Sequence, residues 1–556
     1  MKPGQARCSH CANPEDRVHR GDGTIKLTDN RLCLLTAAWI VLTANRALWV
    51  LLFHTQLTGA RGWFFAASLL VALLGLNMAL LRLLSPGRLL RVMLSALLVL
   101  AACASWVMDT YGVALDSDML RNAFQTNAAE ARDFLGWPLL GRIAWQAGLP
   151  MLVIWTVRLP MRIWQRSLRE YVAGVLAGVA VVLVAGLPFY SSYVSFFRNQ
   201  TAARYLLAPV NVLAGSLKIA RLALRGQQPY VKVGEDAHRE GPAHPKPMMV
   251  LLVVGETARA ANFSLGGYAR DTNPLLRQKA VFYFSDVHSC GTATAVSVPC
   301  MFSDLPRNEF KLSAAENRDT VLDIAQRAGW AVNWIENQSG CKKVCARVPT
   351  EQAQPYHPAS CRDGECRDDA LLYALDDHLR DIVRDNLIVM HSMGSHGPAY
   401  HRRVPPAGEV FKPVCATERI DTCTDEQIVN SYDNSIVYTD YVLAGLIDRL
   451  AAQQDRVDSV LIYVSDHGES LGENGLYLHG QPWMFAPDVQ KKVPMLMWFS
   501  PGATTRLRLD PTCLRSHLQD PLSHDNLSHT LLGLGDVATT VYRPALDLLR
   551  PCRAKG

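Results

Sequence analysis

Long apolar runs fill the first third of this chain, and short apolar runs that alternate with amphipathic stretches fill the rest. A helix that crosses a bilayer needs about 20 mostly apolar residues. Five runs are of about that length, at 32–53, 63–83, 89–107, 139–157 and 171–190. We therefore predict five membrane-spanning helices, and not five buried helices of a soluble protein.

The positively charged residues indicate which way these helices run. Arginine and lysine are concentrated before the first run and in the loops after the second and fourth runs. Loops rich in these residues stay on the cytoplasmic side of a membrane. We expect an inner-membrane protein whose N-terminus is cytoplasmic and whose chain after the fifth run is periplasmic. The net charge of +6 lies largely on the cytoplasmic loops, so it does not indicate nucleic-acid binding.

Most of the 14 cysteines follow residue 285. An even number at short spacings, in a region already placed outside the cytoplasm, is typical of disulfides in an oxidising compartment. No C-x-x-C pair occurs among them, which argues against a cytosolic metal site. We expect the pairs Cys290–Cys300, Cys341–Cys345, Cys361–Cys366 and Cys415–Cys423, with Cys513–Cys552 as a further candidate.

Composition divides the chain into four parts. They are a cytoplasmic segment at 1–31, a five-helix membrane domain at 32–194, an interfacial helix and linker at 195–246, and a periplasmic domain at 247–556. The polar stretch 118–134, between the third and fourth runs, predicts a short helix near the membrane surface. Residues 205–224 have the composition of an interfacial amphipathic helix, although a plain surface helix of the soluble domain fits them almost as well.

Beyond residue 247, strand patterns alternate with helix patterns. The strand candidates are 248–254, 330–335, 387–390, 460–464 and 495–499, and the helix candidates are 320–328, 367–379, 426–452 and 524–532. Strands that alternate with helices form a mostly parallel sheet with helices on both faces. The sequence therefore predicts an α-helical membrane domain followed by an α/β domain.

Two of these strands end in side chains that can bind a metal. Asp466 and His467 follow the run 460–464, and Glu256 follows the run 248–254. Ligands gather at the carboxyl ends of parallel strands, so these three side chains can meet. Carboxylate oxygen and imidazole nitrogen together suit zinc. Each motif taken alone could instead be a strand followed by a polar turn.

A block of small and hydroxyl residues lies between Cys290 and Cys300. Such residues at the start of a helix provide a place for an anion, and a threonine there can act as a nucleophile if zinc lowers its hydroxyl pKa. Thr292, Thr294 and Ser297 could equally do no more than cap the helix. The spacing alone does not choose between Thr294 and Thr292.

Loop histidines and one lysine complete the candidate chemistry. The segment 391–398 (HSMGSHGP) follows the strand at 387–390, and His479 lies in a glycine-rich loop after His467. These histidines could bind a phosphoryl oxygen, move protons or complete a second metal site, or be ordinary surface residues. Lys342 lies between Cys341 and Cys345, where a fixed cation could hold a phosphate.

Together these motifs resemble those of the lipid A phosphoethanolamine transferases, which include the mobile colistin resistance enzymes. The similar segments are GETAR at 255–259, SCGTATAVSVPC at 289–300, GCKKVC at 340–345, HSMGSHGPAY at 391–400 and SDHGESLGENG at 465–475. The resemblance covers essentially the whole chain. It implies five membrane spans and a catalytic domain like that of alkaline phosphatase and the sulfatases.

The resemblance also implies roles for individual residues. Thr294 becomes the nucleophile, and the zinc ligands become Glu256, Thr294, Asp466 and His467. His396 and His479 become catalytic residues, and Lys342 becomes a substrate-binding residue. In the outer helix, Asn122, Thr126 and Glu130 match the spacing of residues that bind the lipid headgroup, on one helical face.

The expected reaction moves phosphoethanolamine from phosphatidylethanolamine to a phosphate of lipid A through a covalent threonine intermediate. Reduced negative surface charge and reduced susceptibility to polymyxins would follow. Transfer to core sugars of lipopolysaccharide stays open, as does glycerol-phosphate transfer, which typically comes with fewer disulfides. A non-catalytic envelope protein with the same fold is a further alternative. We expect a membrane-embedded monomer with zinc as its cofactor.

Overall fold

The computed structural model describes residues 27–56, 59–125, 136–159, 164–224, 229–241, 244–362 and 364–554. The first part of the chain is helical. Its helices are Asp29–Thr43, Arg46–Gln56, Gly59–Leu84, Leu90–Tyr111, Ser117–Gln125, Trp137–Ile143, Leu149–Thr156, Trp164–Gly186, Tyr190–Asn199 and Val210–Leu224. The predicted cytoplasmic segment lies almost entirely outside the described residues.

The first predicted span is bent. Asp29–Thr43 and the helix that starts at Arg46 meet at 58°. Asn45 lies at the bend, where its side-chain amide donates to the carbonyls of Ile40 and Ala208 and accepts from the Ala208 N–H. An amide that inserts into the helical ladder in this way accounts for a sharp bend.

Three single helices in the described part of the chain are long and apolar enough to cross a membrane, and the bent pair would make a fourth. The three single helices correspond to the predicted runs at 63–83, 89–107 and 171–190. The predicted span at 139–157 is a helical run of three pieces, in which the π-helix Ala144–Gly148 joins Trp137–Ile143 to Leu149–Thr156. The chain is thus a membrane protein, and the count of five spans stays a prediction.

A seven-stranded sheet forms the centre of the second part. We number its strands β1 (Met248–Gly255), β2 (Phe282–Phe284), β3 (Ala331–Glu336), β4 (Thr350–Gln352), β5 (Asn386–His391), β6 (Asp458–Ser465) and β7 (Met495–Phe499). Their spatial order is β2-β7-β6-β1-β5-β3-β4. The pairs β6–β1, β1–β5, β5–β3 and β3–β4 are parallel, and β7 pairs antiparallel with β6 and β2. The predicted α/β fold with a mostly parallel sheet is confirmed.

Helices cover both faces of the sheet. Val321–Arg327 and Asp525–Leu534 pack on one face, and Ala370–His378 and Asp425–Ala451 pack on the other. This explains why β1 and β6 are buried along their whole length and read as continuous apolar runs. The two short edge strands β2 and β4 have no comparable signal and were not predicted.

Disulfides close several loops around the sheet. The bonds are Cys290–Cys300, Cys341–Cys345, Cys361–Cys366, Cys415–Cys423 and Cys513–Cys552. The first four are the pairs expected from spacing, and the fifth is the further candidate. The first two hold the loops that carry Thr294 and Lys342, so they bear directly on the candidate site.

The two parts of the chain touch each other at several points. The Gln481 side chain donates to the carbonyl of Gly112 at 2.9 Å, and Arg121 pairs with Glu316 at 3.0 Å. Gly112 has a φ of 68°, and a Cβ added there would lie 2.7 Å from the carbonyl oxygen of Gly475. The membrane part therefore rests closely on the loops of the α/β part.

Candidate metal centre and active site

Adjacent ends of β1 and β6 bring three ligand-type side chains together. Gly255 pairs with Ser465 in the parallel register, so the next residues, Glu256 and Asp466, leave the sheet at the same level. Nε2 of His467 lies 3.6 Å from Oε1 of Glu256 and 3.4 Å from Oδ2 of Asp466. All three residues are fully buried. The predicted metal ligands therefore form one compact cluster.

Thr294 faces this cluster from the first position of the helix Thr294–Met301. Its Oγ1 lies 3.1 Å from Oε2 of Glu256 and 3.3 Å from Nε2 of His467. The Thr292 hydroxyl points elsewhere, since it donates to the Gln481 carbonyl at 2.6 Å. The Ser297 hydroxyl donates to the Asp466 carbonyl at 2.5 Å. Among these three hydroxyl groups, only that of Thr294 faces the carboxylate and imidazole groups of the cluster.

The cluster fits a divalent cation. Oδ2 of Asp466 is buried and accepts no hydrogen bond within the described part of the chain. Burial raises the pKa of Asp466 to about 6, raises the pKa of Glu256 and lowers the pKa of His467 to about 4. Two buried carboxylates beside a neutral imidazole are costly without a compensating positive charge. Oxygen and nitrogen donors of this kind suit zinc.

Two further histidines border the cluster. The ring centroid of His479 lies 4.3 Å from that of His467 and 5.8 Å from that of His396. Burial lowers the pKa of His479 and lowers the pKa of His396 further, with the nearby Arg403 charge adding to the effect on His396. Both rings are therefore neutral near pH 7.

Lys342 lies on the disulfide-closed loop beside His396. Its Nζ donates to the carbonyl and the hydroxyl of Ser339 at 3.0 and 2.8 Å. Its positive charge is one cause of the low pKa of His396, after burial and Arg403. The structure thus brings Lys342 to the histidine side of the site, and its role in substrate binding stays a prediction.

The outer helix lies beside the helix that carries Thr294. Ser117–Gln125, which includes Asn122, packs against Thr294–Met301. Thr126 and Glu130, the other two residues expected at the lipid headgroup, lie outside the described residues. The placement of Asn122 is compatible with a headgroup site next to Thr294.

Sequence reasoning missed two buried residues that shape the site. His524 accepts from the Cys290 N–H at 3.0 Å and donates to the Ser465 carbonyl at 2.9 Å, so it ties the Thr294 loop to the end of β6. Glu469 is fully buried beside His479, with Oε2 3.3 Å from Nδ1 of that ring. Glu469 lies in the SDHGE segment, so the sequence could have indicated it as a residue of the site. His524 is an isolated histidine at a helix start and gave no signal.

Two family models match the chain. The model described as Sulfatase matches residues 249–537. The model described as Phosphoethanolamine transferase EptA/EptB matches residues 73–224, in the helical part. The two matches cover the two parts of the fold separately.

Known proteins are similar over most of the chain. Phosphoethanolamine transferase EptA of Escherichia coli K12 is 42% identical over 461 residues, which are 82% of this chain and 84% of that protein. Phosphatidylethanolamine transferase Mcr-1 of Escherichia coli is 36% identical over 506 residues, 87% of this chain and 91% of that protein. The solved integral membrane lipooligosaccharide phosphoethanolamine transferase A (EptA) of Neisseria meningitidis superposes with a TM-score of 0.91 at 35% identity, covering 95% of this chain and 100% of that one.

The resemblance read from the motifs is thereby confirmed. Identity above 30% over more than four fifths of the chain, a matching membrane-part model and a matching complete structure agree with one another. The chain belongs to the EptA/EptB family of phosphoethanolamine transferases.

Proposed function

We propose that this protein transfers phosphoethanolamine from phosphatidylethanolamine to a phosphate of lipid A, through a covalent intermediate on Thr294. The observation that carries the proposal is the position of Thr294 Oγ1, 3.1 Å from Glu256 and 3.3 Å from His467. Among the hydroxyl groups of its loop, this one alone faces the cluster. Family membership supports the class of reaction.

In the first half-reaction, the Thr294 oxygen attacks the phosphorus of the donor lipid. The new O–P bond forms while the bond between phosphorus and the diacylglycerol oxygen breaks, and diacylglycerol leaves with a proton. Oε2 of Glu256 accepts the hydrogen bond of the hydroxyl and so orients its lone pairs toward the donor. A zinc ion held by Glu256, Asp466, His467 and Thr294 would, when bound, lower the pKa of that hydroxyl and offset charge on the phosphoryl oxygens.

In the second half-reaction, an oxygen of the lipid A phosphate attacks the same phosphorus, and Thr294 leaves and regains its proton. His396 and His479 are neutral near pH 7 because burial lowers both pKa values. One of these two neutral rings would take the proton of the incoming phosphate as a general base. Lys342, whose charge already acts on His396, would hold a phosphoryl oxygen.

Both substrates are lipids, which explains why the α/β part is joined to a membrane part. Asn122, on the helix that packs against the Thr294 helix, would bind the donor headgroup together with Thr126 and Glu130. We place the N-terminus in the cytoplasm and the α/β part in the periplasm, because the loops richest in arginine and lysine lie on one side of the predicted spans. A lower negative charge on lipid A would weaken binding of polymyxins.

Mass spectrometry of lipid A and of core oligosaccharide tests this proposal. A host without its own transferase would express either the wild-type protein or Thr294→Ala. The wild type should add phosphoethanolamine to lipid A and raise polymyxin tolerance, and the variant should do neither. If only the core sugars gain phosphoethanolamine, the acceptor is a core sugar and not lipid A. Addition of glycerol phosphate, or modification by Thr294→Ala, would contradict the proposal.

A further inference from the structure

A short apolar turn of the α/β part lies against the membrane part. It comprises residues 482–485 (PWMF), and we call it the PWMF turn. The Phe485 N–H closes the turn by donating to the Pro482 carbonyl at 2.8 Å. Met484, the third residue of the turn, is 82% exposed. Single exposed apolar residues are common on protein surfaces, so the position of the turn decides what its exposure means.

Two contacts place the PWMF turn at the end of the membrane-spanning helices. The Gln481 side chain, directly before the turn, donates to the carbonyl of Gly112 at 2.9 Å. Gly112 directly follows Gly87–Tyr111, one of the three helices long and apolar enough to cross a membrane. The Phe485 ring centroid lies 6.3 Å from that of Tyr205, shortly beyond the last of these helices. A bilayer around these helices therefore has its surface at the level of the turn.

The surroundings of Trp483 have the composition of a membrane–water interface. Cζ of Arg307 lies 3.6 Å from the centre of the Trp483 ring, and Nζ of Lys491 lies 5.8 Å from it. Nε of Arg307 also donates to the Cys290 carbonyl at 2.8 Å, and Lys491 pairs with Asp488 at 3.3 Å. Tryptophan is enriched at the headgroup level, because one end of its ring system is apolar and the other is polar. Long charged side chains beside it keep their charge in water while their stems lie along apolar surface.

We propose that the PWMF turn inserts into the bilayer surface on the side of the α/β part. The Met484 side chain lies among the acyl chains, and Trp483 lies at the level of the headgroups. The occupant of this apolar surface is phospholipid, because the turn continues the contact between the two parts of the chain at the ends of the membrane-spanning helices. This interaction adds to the proposed function and does not depend on it.

Insertion of the turn fixes the height of the Thr294 loop above the membrane. The Gly480 N–H donates to the Thr292 carbonyl at 2.7 Å, and the Thr292 hydroxyl donates to the Gln481 carbonyl at 2.6 Å. Gly480 and Gln481 directly precede the turn, and Thr292 lies two residues before Thr294. The depth of the turn therefore sets the distance between Thr294 and the phosphorus of a lipid in the bilayer.

Fluorescence quenching in a bilayer tests the insertion. Full-length Met484→Cys and Val383→Cys are labelled with an environment-sensitive dye and placed in vesicles of phosphatidylcholine and phosphatidylglycerol. Val383 is the matched control, because it is 88% exposed and precedes β5, at the end of the sheet opposite to the metal ligands. All the cysteines after residue 285 form disulfides, and wild-type protein treated with the dye gives the background from the rest of the chain.

The dye at position 484 should be quenched by lipids brominated on their acyl chains and shielded from iodide in the water. The dye at position 383 should be quenched by iodide and not by the brominated lipids. Equal quenching of both positions by brominated lipid would overturn the inference. Shielding of position 484 from iodide without quenching by brominated lipid would show that protein covers the turn, and would overturn it too.

A second measurement needs no label. Met484→Ser should form the covalent adduct from bilayer phosphatidylethanolamine about tenfold more slowly than the wild type, which corresponds to about 1.4 kcal/mol. Met484→Leu and the control Val383→Ser should match the wild type. With a short-chain donor that is dissolved in water, all four proteins should react at the same rate, because the height of the Thr294 loop above the bilayer then has no effect. Melting temperatures check that each variant is folded.

An unchanged rate of Met484→Ser with the bilayer donor would overturn the inference. An equal loss with both donors would show a defect in the site itself and would also overturn it. Failure of the proposed function is recognised separately, because the wild type would then form no adduct from either donor while the quenching at position 484 stayed the same.

Discussion

The hydroxyl of Thr292 donates to the carbonyl of Gln481, 2.6 Å away. This bond ties the Thr294 loop to the loop that carries His479, and the Gly480 N–H returns a bond of 2.7 Å to the Thr292 carbonyl. Two threonines that the sequence could not tell apart thus have different tasks. Thr292 links two loops, whereas Thr294 faces Glu256 and His467.

The first prediction separates these tasks. Thr294→Ala should abolish the covalent adduct, whereas Thr292→Val should keep it and lose about 1 kcal/mol of stability, the usual contribution of one buried hydrogen bond. Intact-protein mass spectrometry after incubation with donor lipid detects the adduct, and thermal melts report the stability. An adduct on Thr294→Ala would mean that another hydroxyl is the nucleophile.

The second prediction concerns Lys342 and its neighbour. Lys342→Ala should slow transfer by about 100-fold, the effect of removing one group that stabilises transition-state charge. Lys343→Ala is the matched control, because this side chain is exposed and pairs with Glu316 at 3.3 Å. Release of diacylglycerol from a labelled donor measures both rates. Equal rates for the two variants would show that Lys342 does not contribute to the transfer reaction.

The third prediction is a dependence of stability on pH. Burial lowers the pKa of His524 to about 3, below the value near 6.5 of an unfolded histidine. Because the unfolded chain takes up the proton first, the stabilisation is complete above about pH 6.5 and declines as the pH falls toward 3, by up to about 1.4 kcal/mol per pH unit.

Melting temperatures of the full chain at pH 7.5, 6.0 and 5.0 test this dependence. The wild type should lose stability on acidification, and His524→Asn should start lower at pH 7.5 but lose less. Asn can still accept from the Cys290 N–H, so the variant keeps one of the two contacts. If acidification lowers the melting temperatures of the two proteins by the same amount, His524 is not the cause of the pH dependence.

The fourth prediction is that metal removal inactivates the enzyme. Chelation should abolish adduct formation and lower the melting temperature, because a ligand bound at 100 times its dissociation constant stabilises the folded state by about 2.7 kcal/mol. Added zinc should restore both. Glu256→Gln should bind zinc more weakly than the wild type in a competition assay with a coloured chelator. Full activity of metal-free protein would contradict the cation centre.

The fifth prediction tests the contact between the two parts. Gly112→Ala should destabilise the protein by more than the 1–2 kcal/mol or so that a left-handed backbone costs a side chain, because its Cβ would also meet Gly475. Gly87→Ala is the control, since Gly87 also has a positive φ, of 49°, but has nothing within 4 Å. The melting temperatures of the two variants should differ clearly.

Local patterns were sufficient to predict the strands that carry the cluster. The runs before Glu256 and Asp466 are apolar because β1 and β6 are covered on both faces, and residues that follow parallel strands meet at one edge. Local patterns were not sufficient to identify Thr294 as the threonine that faces the cluster. Only the resemblance chose it over Thr292, because hydroxyl orientation depends on the Gln481 loop, far away in sequence.

Contacts between distant segments account for what could not be predicted. His524 acquires its function by touching Cys290 and Ser465, and nothing in its own neighbours marks it. The bend at Asn45 depends on Ala208, which lies 163 positions further along the chain. Such features have no local period or spacing that a sequence pattern could reveal.

The contact between Gln481 and Gly112 has a consequence for drug discovery. A truncated chain without its membrane part would keep Glu256, Asp466 and His467 but lose the Gln481–Gly112 hydrogen bond beside the His479 loop. Inhibitors selected on such a fragment would be fitted to a loop that lacks this contact. Compounds that bind at the contact between the two parts would act on the enzyme without entering the cluster of Glu256, Asp466 and His467.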